Sequence, residues 1–531
     1  MLTRGEALLA SATATLAFAI LAAYLPYRLG WRVSPAVVLL VTVVSGAIVT
    51  RALIQLASAA RSHSVALLVV VACTGAFFLV LAAPDLLPLG GGPDLAHHLV
   101  LINYIERNWR LVDDPALYPY LGDMMDYTPG GHLLIALAGA WARTMALRVV
   151  HPVLVLTVAL KAGVIFSIAR RLAVERDAGA LTGLAAVILL FMPYPYFAGS
   201  FTTHSYWPQV ISELFACAAW WMIAIWNDRQ SSAVAALFAM FGAAVFVTWP
   251  IWIGPIVLLY VVALAGNRSA ARLRVLHAII GLLPIGMIAA FHSIGRIGRL
   301  QMAGTSGFAI YPSPDTLGWF FIIAACIGVA TAIASSSGRL TMIFAAAIGL
   351  QAVALYAVAR YQAADAPYLA LKMIYLAIYP LAVAAALTIS GSRALAGIAT
   401  VALLPLAAER IIAAPKSRPI VTPSVWRAGL WARDHLDRRC VDYLVAEGYT
   451  GYWLHLAVLD NPRGTARFND PNTFEPQKAI ERWVDATGLP YAIVDDTNGF
   501  SKALFNGTDT LAQFDRSLLI KRRAGASCPG Q

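Results

Sequence analysis

The chain has 531 residues, of which 60% are hydrophobic and only 13% charged, with a mean hydropathy of +0.70. That balance leaves too little polar surface for a soluble globule of this length and marks a polytopic membrane protein. The formal charge of +11 does not argue for nucleic acid as a partner, because many of the arginines fall in short clusters between apolar segments, where they report topology.

Apolar segments long enough to cross about 30 Å of hydrocarbon lie at 7–25, 35–54 and 64–83. No small-residue cleavage site follows the first of them, so it is expected to be retained as a span. Arg51 and Arg61 place the second connection in the cytoplasm, which puts the amino terminus inside and the long loop 84–130 outside. The run 131–146 is short and interrupted by Arg143, and is expected to lie in the interface or re-enter instead of crossing. Further spans are expected near 149–169, 178–193, 207–226, 232–248, 251–266, 274–291, 317–335, 339–358, 369–388 and 394–413. That makes roughly 13 crossings on a 20-residue span. Composition turns polar from Pro415 onward. The expected fold class is therefore mainly α: a transmembrane helical bundle over 1–414 and a small extracytoplasmic α/β or α+β domain over 415–531. In that domain a helix is expected at 424–438 and strands at 490–495 and 517–521. Five cysteines are too few for a disulfide framework, and Cys73, Cys217 and Cys326 sit in apolar runs as small hydrophobes. Cys440 and Cys528 either pair in an oxidising compartment or remain two thiols.

Polar chemistry is concentrated between Pro84 and Trp141. Asp94, His97 and His98 stand at i, i+3 and i+4, so a helix after Pro93 projects all three from one face. A carboxylate beside imidazoles at a membrane boundary suits proton handling or anion binding, whereas Asp94 alone also suits a helix cap. Tyr127-Thr-Pro-Gly-Gly-His132 reads as a turn and a helix start. His204 lies in the aromatic loop FTTHSYWPQ. Glu213, a turn into an apolar span, must face a cavity or a partner, because a carboxylate is costly there. Lys372, with Tyr368 at i−4 and Tyr375 at i+3, either snorkels to headgroups or contacts a phosphate, with Arg360 and the outer-loop Arg296 and Arg299 as further cations. No Walker loop, no dinucleotide fingerprint after a strand and no HExxH or CxxC spacing occurs, so neither a nucleotide cofactor nor a metal is expected. The tail aromatics Trp426, Trp431, Tyr452, Trp453 and Trp483 suit a domain core first and sugar stacking second.

The acidic residue in Gly92-Pro93-Asp94, the Tyr127 to His132 motif and the span ending at Arg170–Ala173, in that order, resemble the GT-C superfamily of integral-membrane glycosyltransferases, which use polyprenyl-phosphate-linked sugars. The resemblance implies an enzyme of cell-envelope polysaccharide biogenesis in the inner or plasma membrane. Its donor would be a polyprenyl-phosphate sugar and its acceptor a glycan, lipid or protein. Asp94 would be the general base in an inverting displacement at C1. Lys372, with Tyr375, Arg360 or Arg296, would hold the donor phosphate. His97, His98, Tyr127, His132, His204 and Glu213 would line the substrate pocket. The alternatives are a flippase for a lipid-linked saccharide, expected to show an internal repeat, and an O-antigen-type polymerase or ligase, expected to carry its main loop late.

Overall fold

The computed structural model describes residues 2–55, 57, 62–90, 93–112, 115–267, 270–294, 309–335, 338–416, 419, 421–461, 468, 470–485, 488–496, 500, 502–523 and 527–528. Among the described residues, 9 helices are long and apolar enough to cross a membrane. Four of the shorter apolar helices, Gly179–Leu189, Ser232–Thr248, Pro250–Gly266 and Trp319–Ala334, also fall on segments expected to cross. The remaining one, Gly130–Trp141, is 12 residues long. It covers about 18 Å at 1.5 Å per residue, and Gly179–Leu189, with 11 residues, covers about 17 Å, so neither helix alone matches the hydrocarbon thickness. The protein is an integral membrane protein built as a helical bundle.

Burial sorts the helices into a centre and a rim. Trp207–Arg229 is buried over 100% of its apolar window, Ala146–Leu172 over 83% and Tyr368–Leu387 over 67%, whereas Pro35–Gln55, Arg339–Tyr361 and Arg393–Ala413 are each 22% buried. The rim helices turn Ile48, Val353 and Ile398 outward, as helices facing lipid do. Two buried carboxylates inside the bundle are paired. Glu6 closes a capping box with Thr3 and takes Arg170 at 2.6 Å, fastening the first helix to Ala146–Leu172. Deeper still, Glu213 and Lys161 form an ion pair with no exposure on either side chain. Tyr379 donates to the same carboxylate at 2.5 Å and Gln209 at 3.3 Å. Each helix supplies the partner that the other's buried charge requires.

The carboxyl-terminal segment forms a four-stranded sheet of order β1-β2-β4-β3, from β1 (Val441–Leu444), β2 (Tyr491–Val494), β3 (Thr508–Phe514) and β4 (Ser517–Arg522). β1 and β2 run parallel, and β4 is antiparallel to both β2 and β3. The helix Pro423–His435 and the strands β2 and β4 fall where sequence places them. β1 and β3 were not expected, because β1 is four residues with an aspartate inside and β3 opens with three polar residues in a row, Thr508-Asp509-Thr510, so neither shows clean alternation. Cys440 and Cys528 are joined by a disulfide.

This domain sits on helix Pro93–Asn108. Arg107 pairs with Asp460 and donates to the Ala457 carbonyl at 3.0 Å. The neighbouring Glu106 accepts the Ala146 N–H at 2.7 Å. Burial pushes the Glu106 carboxyl up from 4.5 to about 7, against the opposing pull of that N–H and of Arg107. A carboxyl that the fold prefers protonated contributes stability below its unfolded value, and that contribution is lost as pH rises from about 4.5 through about 7. Glu106→Gln, which keeps the acceptor for Ala146, should flatten thermal stability across this window and exceed wild type at pH 8 by roughly 2–3 kcal/mol. Melting curves at pH 5 and 8 measure it, and an unchanged difference between the two proteins at both values would refute the assignment.

Candidate functional site

The polar loop residues and the starts of three helices meet at one end of the bundle, beneath the carboxyl-terminal domain. Helix Pro93–Asn108 begins on proline, which presets the first turn, so Asp94 is its second residue and not its cap. From this helix His97 and His98 diverge. His98 is buried, and its Nδ1 lies 2.9 Å from Nε2 of His132, the third residue of helix Gly130–Trp141. Its ring stacks on Trp207 at 5.7 Å, and Tyr127 sets its edge against both imidazoles, at 5.9 Å and 5.8 Å. Burial first, then the nearby His132, His97 and Lys372, hold His98 neutral well below the usual imidazole range. His97 turns toward the other domain, stacking on Tyr452 at 5.9 Å with Tyr449 edge-on at 6.4 Å.

Lys372, in the second turn of helix Tyr368–Leu387, is 0% exposed. Its ammonium lies 2.9 Å from the ring centroid of Tyr206 and 5.1 Å from those of Tyr368 and Tyr375, and it has no hydrogen-bond partner among the described residues. Aromatic faces attract a cation but cannot satisfy three N–H donors. Asp94 lies one turn before His98 on the same helix; it forms no ion pair with Lys372 among the described residues, and its charge reaches Tyr127, Tyr206 and Tyr452. His204 stacks on Tyr206 at 5.6 Å, and its imidazole is pushed down to about 4 by burial and then by Lys372.

Two glycines let these segments approach. Gly90 has φ +107, and a Cβ there would meet the Ser205 hydroxyl, in the turn that carries His204 and Tyr206. Gly130 lies so close to the Val247 carbonyl that a Cβ would come within 2.6 Å of it, while Thr128 donates to the Thr248 carbonyl at 3.1 Å. Gly90→Ala should lower stability by about 2 kcal/mol through the positive φ and the clash and should depress activity with it. Gly286→Ala, which meets no atom within 4 Å, is the control expected to be neutral or stabilising. Equal melting temperatures for the two variants would contradict this account.

Of the residues singled out in sequence, Asp94, His97, His98, Tyr127, His132, His204, Lys372 and Tyr375 come together. Glu213 is placed elsewhere, its oxygens taken by Lys161, Tyr379 and Gln209. Arg360 lies exposed at the end of its helix. Arg296 and Arg299 fall outside the described residues. Tyr206, Trp207 and Tyr452 were not among the chosen site residues. The Tyr206-Trp207-Pro208 junction within the aromatic loop was the available signal for the first two. Tyr452 carries no sequence signal that separates a core aromatic from one reaching across a domain boundary. No three of His, Cys, Asp and Glu gather in metal-ligating geometry among the described residues.

No protein-family model matches the chain, and no curated protein does. Solved structures do. ArnT from Cupriavidus metallidurans bound to undecaprenyl phosphate aligns over 85% of this chain and 97% of its own, with TM-score 0.51 and 15% identity. The arabinofuranosyltransferase AftD from Mycobacteria aligns over 86% of this chain and 40% of its own, with TM-score 0.50 and 14% identity. The chain shares the fold of these two proteins. At one end of this fold the cluster around Asp94 and Lys372 brings together a carboxylate, a buried cation and the rings of Tyr127, Tyr206, Tyr368 and Tyr375.

Proposed function

We propose that the protein is a membrane glycosyltransferase that moves a sugar from a polyprenyl-phosphate donor to a cell-envelope acceptor on the extracytoplasmic face. The observation that carries this reading is Lys372, a buried cation without a hydrogen-bond partner among the described residues and within the field of Asp94. A buried unpartnered ammonium is costly unless an anion arrives to meet it. The ArnT neighbour was solved with undecaprenyl phosphate bound, and a phosphate headgroup is the anion we assign to Lys372, with Tyr206, Tyr368 and Tyr375 around it. Asp94 removes the proton from the acceptor hydroxyl as that oxygen bonds to the sugar C1 and the C1–O bond to phosphate breaks. The electron pair leaves on the polyprenyl phosphate, where Lys372 stabilises the charge, and C1 inverts. The neutral His98 and His132 pair, braced by Tyr127 and Trp207, hydrogen-bonds sugar hydroxyls without competing for the phosphate.

The test is release of polyprenyl phosphate from a panel of polyprenyl-phosphate sugars by the purified full chain, with native membranes supplying acceptor. Release from one donor, with an inverted product, supports the reading and identifies the sugar. Retained configuration at C1 overturns the single displacement. No release from any donor, with labelled lipid-linked sugar changing leaflet in proteoliposomes, overturns the transferase.

A further inference from the structure

At the far end of helix Pro93–Asn108 from Asp94, an open cleft of about 550 Å³ lies against the turn joining Gly130–Trp141 to Ala146–Leu172 and the helix Pro423–His435. Glu106, Arg143, Thr144 and Arg148 line its membrane-domain side, and Trp426 and Leu430 line the other. Neither arginine appears in any ion pair among the described residues, so two cations face a space large enough for a saccharide.

Arg143 carries a second, independent observation. The helix Gly130–Trp141 ends at Ala142, and the next residue, Arg143, has φ +52. That is the left-handed position at which helices commonly place glycine, because a Cβ is strained there. Here the backbone geometry favours glycine, and the chain nevertheless carries a long cationic side chain at the cleft. Trp426 supplies a third observation. It is buried, it lines the cleft, and its indole N–H has no acceptor among the described residues. An indole offers both a flat apolar face for a sugar ring and a donor for a hydroxyl. Burial raises the pKa of the Glu106 carboxyl, so it opposes an anion in the cleft less than a surface carboxylate would.

A small void of about 20 Å³ lies beside the cleft along the same helix, lined in part by the shared Glu106, Met145 and Trp426 and by Leu99, Ile102 and Asn103. Glu106 and Asp94 are separated by roughly 18 Å along that helix. A molecule seated in the cleft therefore lies against the same helix as Asp94 and leaves the Asp94 site free.

We infer that this cleft is a second anion site, which takes the phosphate of a phosphorylated saccharide headgroup belonging to the acceptor, apart from the donor phosphate at Lys372. Arg143 and Arg148 hold the phosphate oxygens with their planar forks, and Trp426 and Thr144 take the adjoining sugar. The assignment to the acceptor rests on the glycosyltransferase reading, whereas the phosphate site itself does not.

The test is equilibrium binding to the detergent-solubilised full chain with three probes: glucose 1-phosphate, phosphatidylglycerol against phosphatidylcholine, and undecaprenyl phosphate. Arg143→Gly with Arg148→Gln should weaken binding of a phosphate probe at least tenfold and leave undecaprenyl phosphate binding unchanged. Arg143→Gly alone should keep or raise the melting temperature, since glycine suits φ +52, so that lost binding is not lost folding. Dependence on the arginines with glucose 1-phosphate alone means that the phosphate enters from the aqueous side, and with phosphatidylglycerol alone that it enters from the bilayer. Either upholds the site. If both probes bind the double variant as they bind wild type, the site is refuted. Failure of wild type to bind undecaprenyl phosphate would sink the donor reading and leave the cleft result standing.

Discussion

Asp94→Asn should lower the rate of sugar transfer by about 10²–10⁴-fold, the range that a positioned general base contributes, while polyprenyl phosphate binding is retained or tightened. The two halves of that expectation have one cause. The carboxylate lies close enough to act on Lys372. The two form no ion pair among the described residues, so the carboxylate acts on the ammonium only at a distance, and an incoming phosphate would meet that ammonium in the same field. The amide removes the carboxylate's charge and, with it, the only role that needs an ionised oxygen. Asparagine keeps the size and the hydrogen-bonding shape, and in the first turn of Pro93–Asn108 it is tolerated nearly as well as aspartate. Single-turnover transfer and undecaprenyl phosphate affinity, measured on the same preparation, separate the two effects. Parallel loss of both would make Asp94 part of the phosphate site or of the fold, and retained transfer would move the base elsewhere.

Hydropathy alone made the bundle legible, because a span must be apolar over its whole length whichever neighbour it meets. The helix Gly130–Trp141 stops just before Arg143, the residue that interrupts the apolar run in sequence, and the structure adds that most of it is buried in the bundle. The i, i+3, i+4 spacing of Asp94, His97 and His98 correctly gave a helix, yet it could not foretell that the two imidazoles diverge, one to His132 and one to Tyr452. Glu213 illustrates the limit most clearly. Its cost inside an apolar span is visible in sequence, but the partner that resolves it, Lys161, is 52 residues away and becomes visible only when the two helices pack. Tyr206 brings its ring face to Lys372 through a turn in which Ser205 takes φ +58. Positive φ at a serine leaves no trace in composition, so that contact was beyond reach from the sequence.

Lys372→Met is expected to raise stability and remove function together. Methionine matches the length of the lysine stem and is at home among Tyr206, Tyr368 and Tyr375, where a thioether packs well against rings. The substitution deletes a fully buried cation that has no hydrogen-bond partner among the described residues. Replacing buried ion pairs by apolar residues of similar volume is often neutral or stabilising by about 1–4 kcal/mol, and a buried cation without a hydrogen-bond partner has less to lose than a paired one. The unliganded variant should therefore melt above wild type, by an amount tempered by the Asp94 carboxylate it leaves behind. Transfer should fall by about 10²–10³-fold, as when one electrostatic stabiliser of a developing charge is lost, and undecaprenyl phosphate should no longer shift the melting temperature. Lys372→Arg should rescue poorly, because a planar fork does not fit a pocket shaped by three rings around a compact ammonium. A lower melting temperature in Lys372→Met would mean that the ammonium is satisfied in the resting protein. The energetic argument for an anion site at Lys372 would then fail, even if transfer were lost.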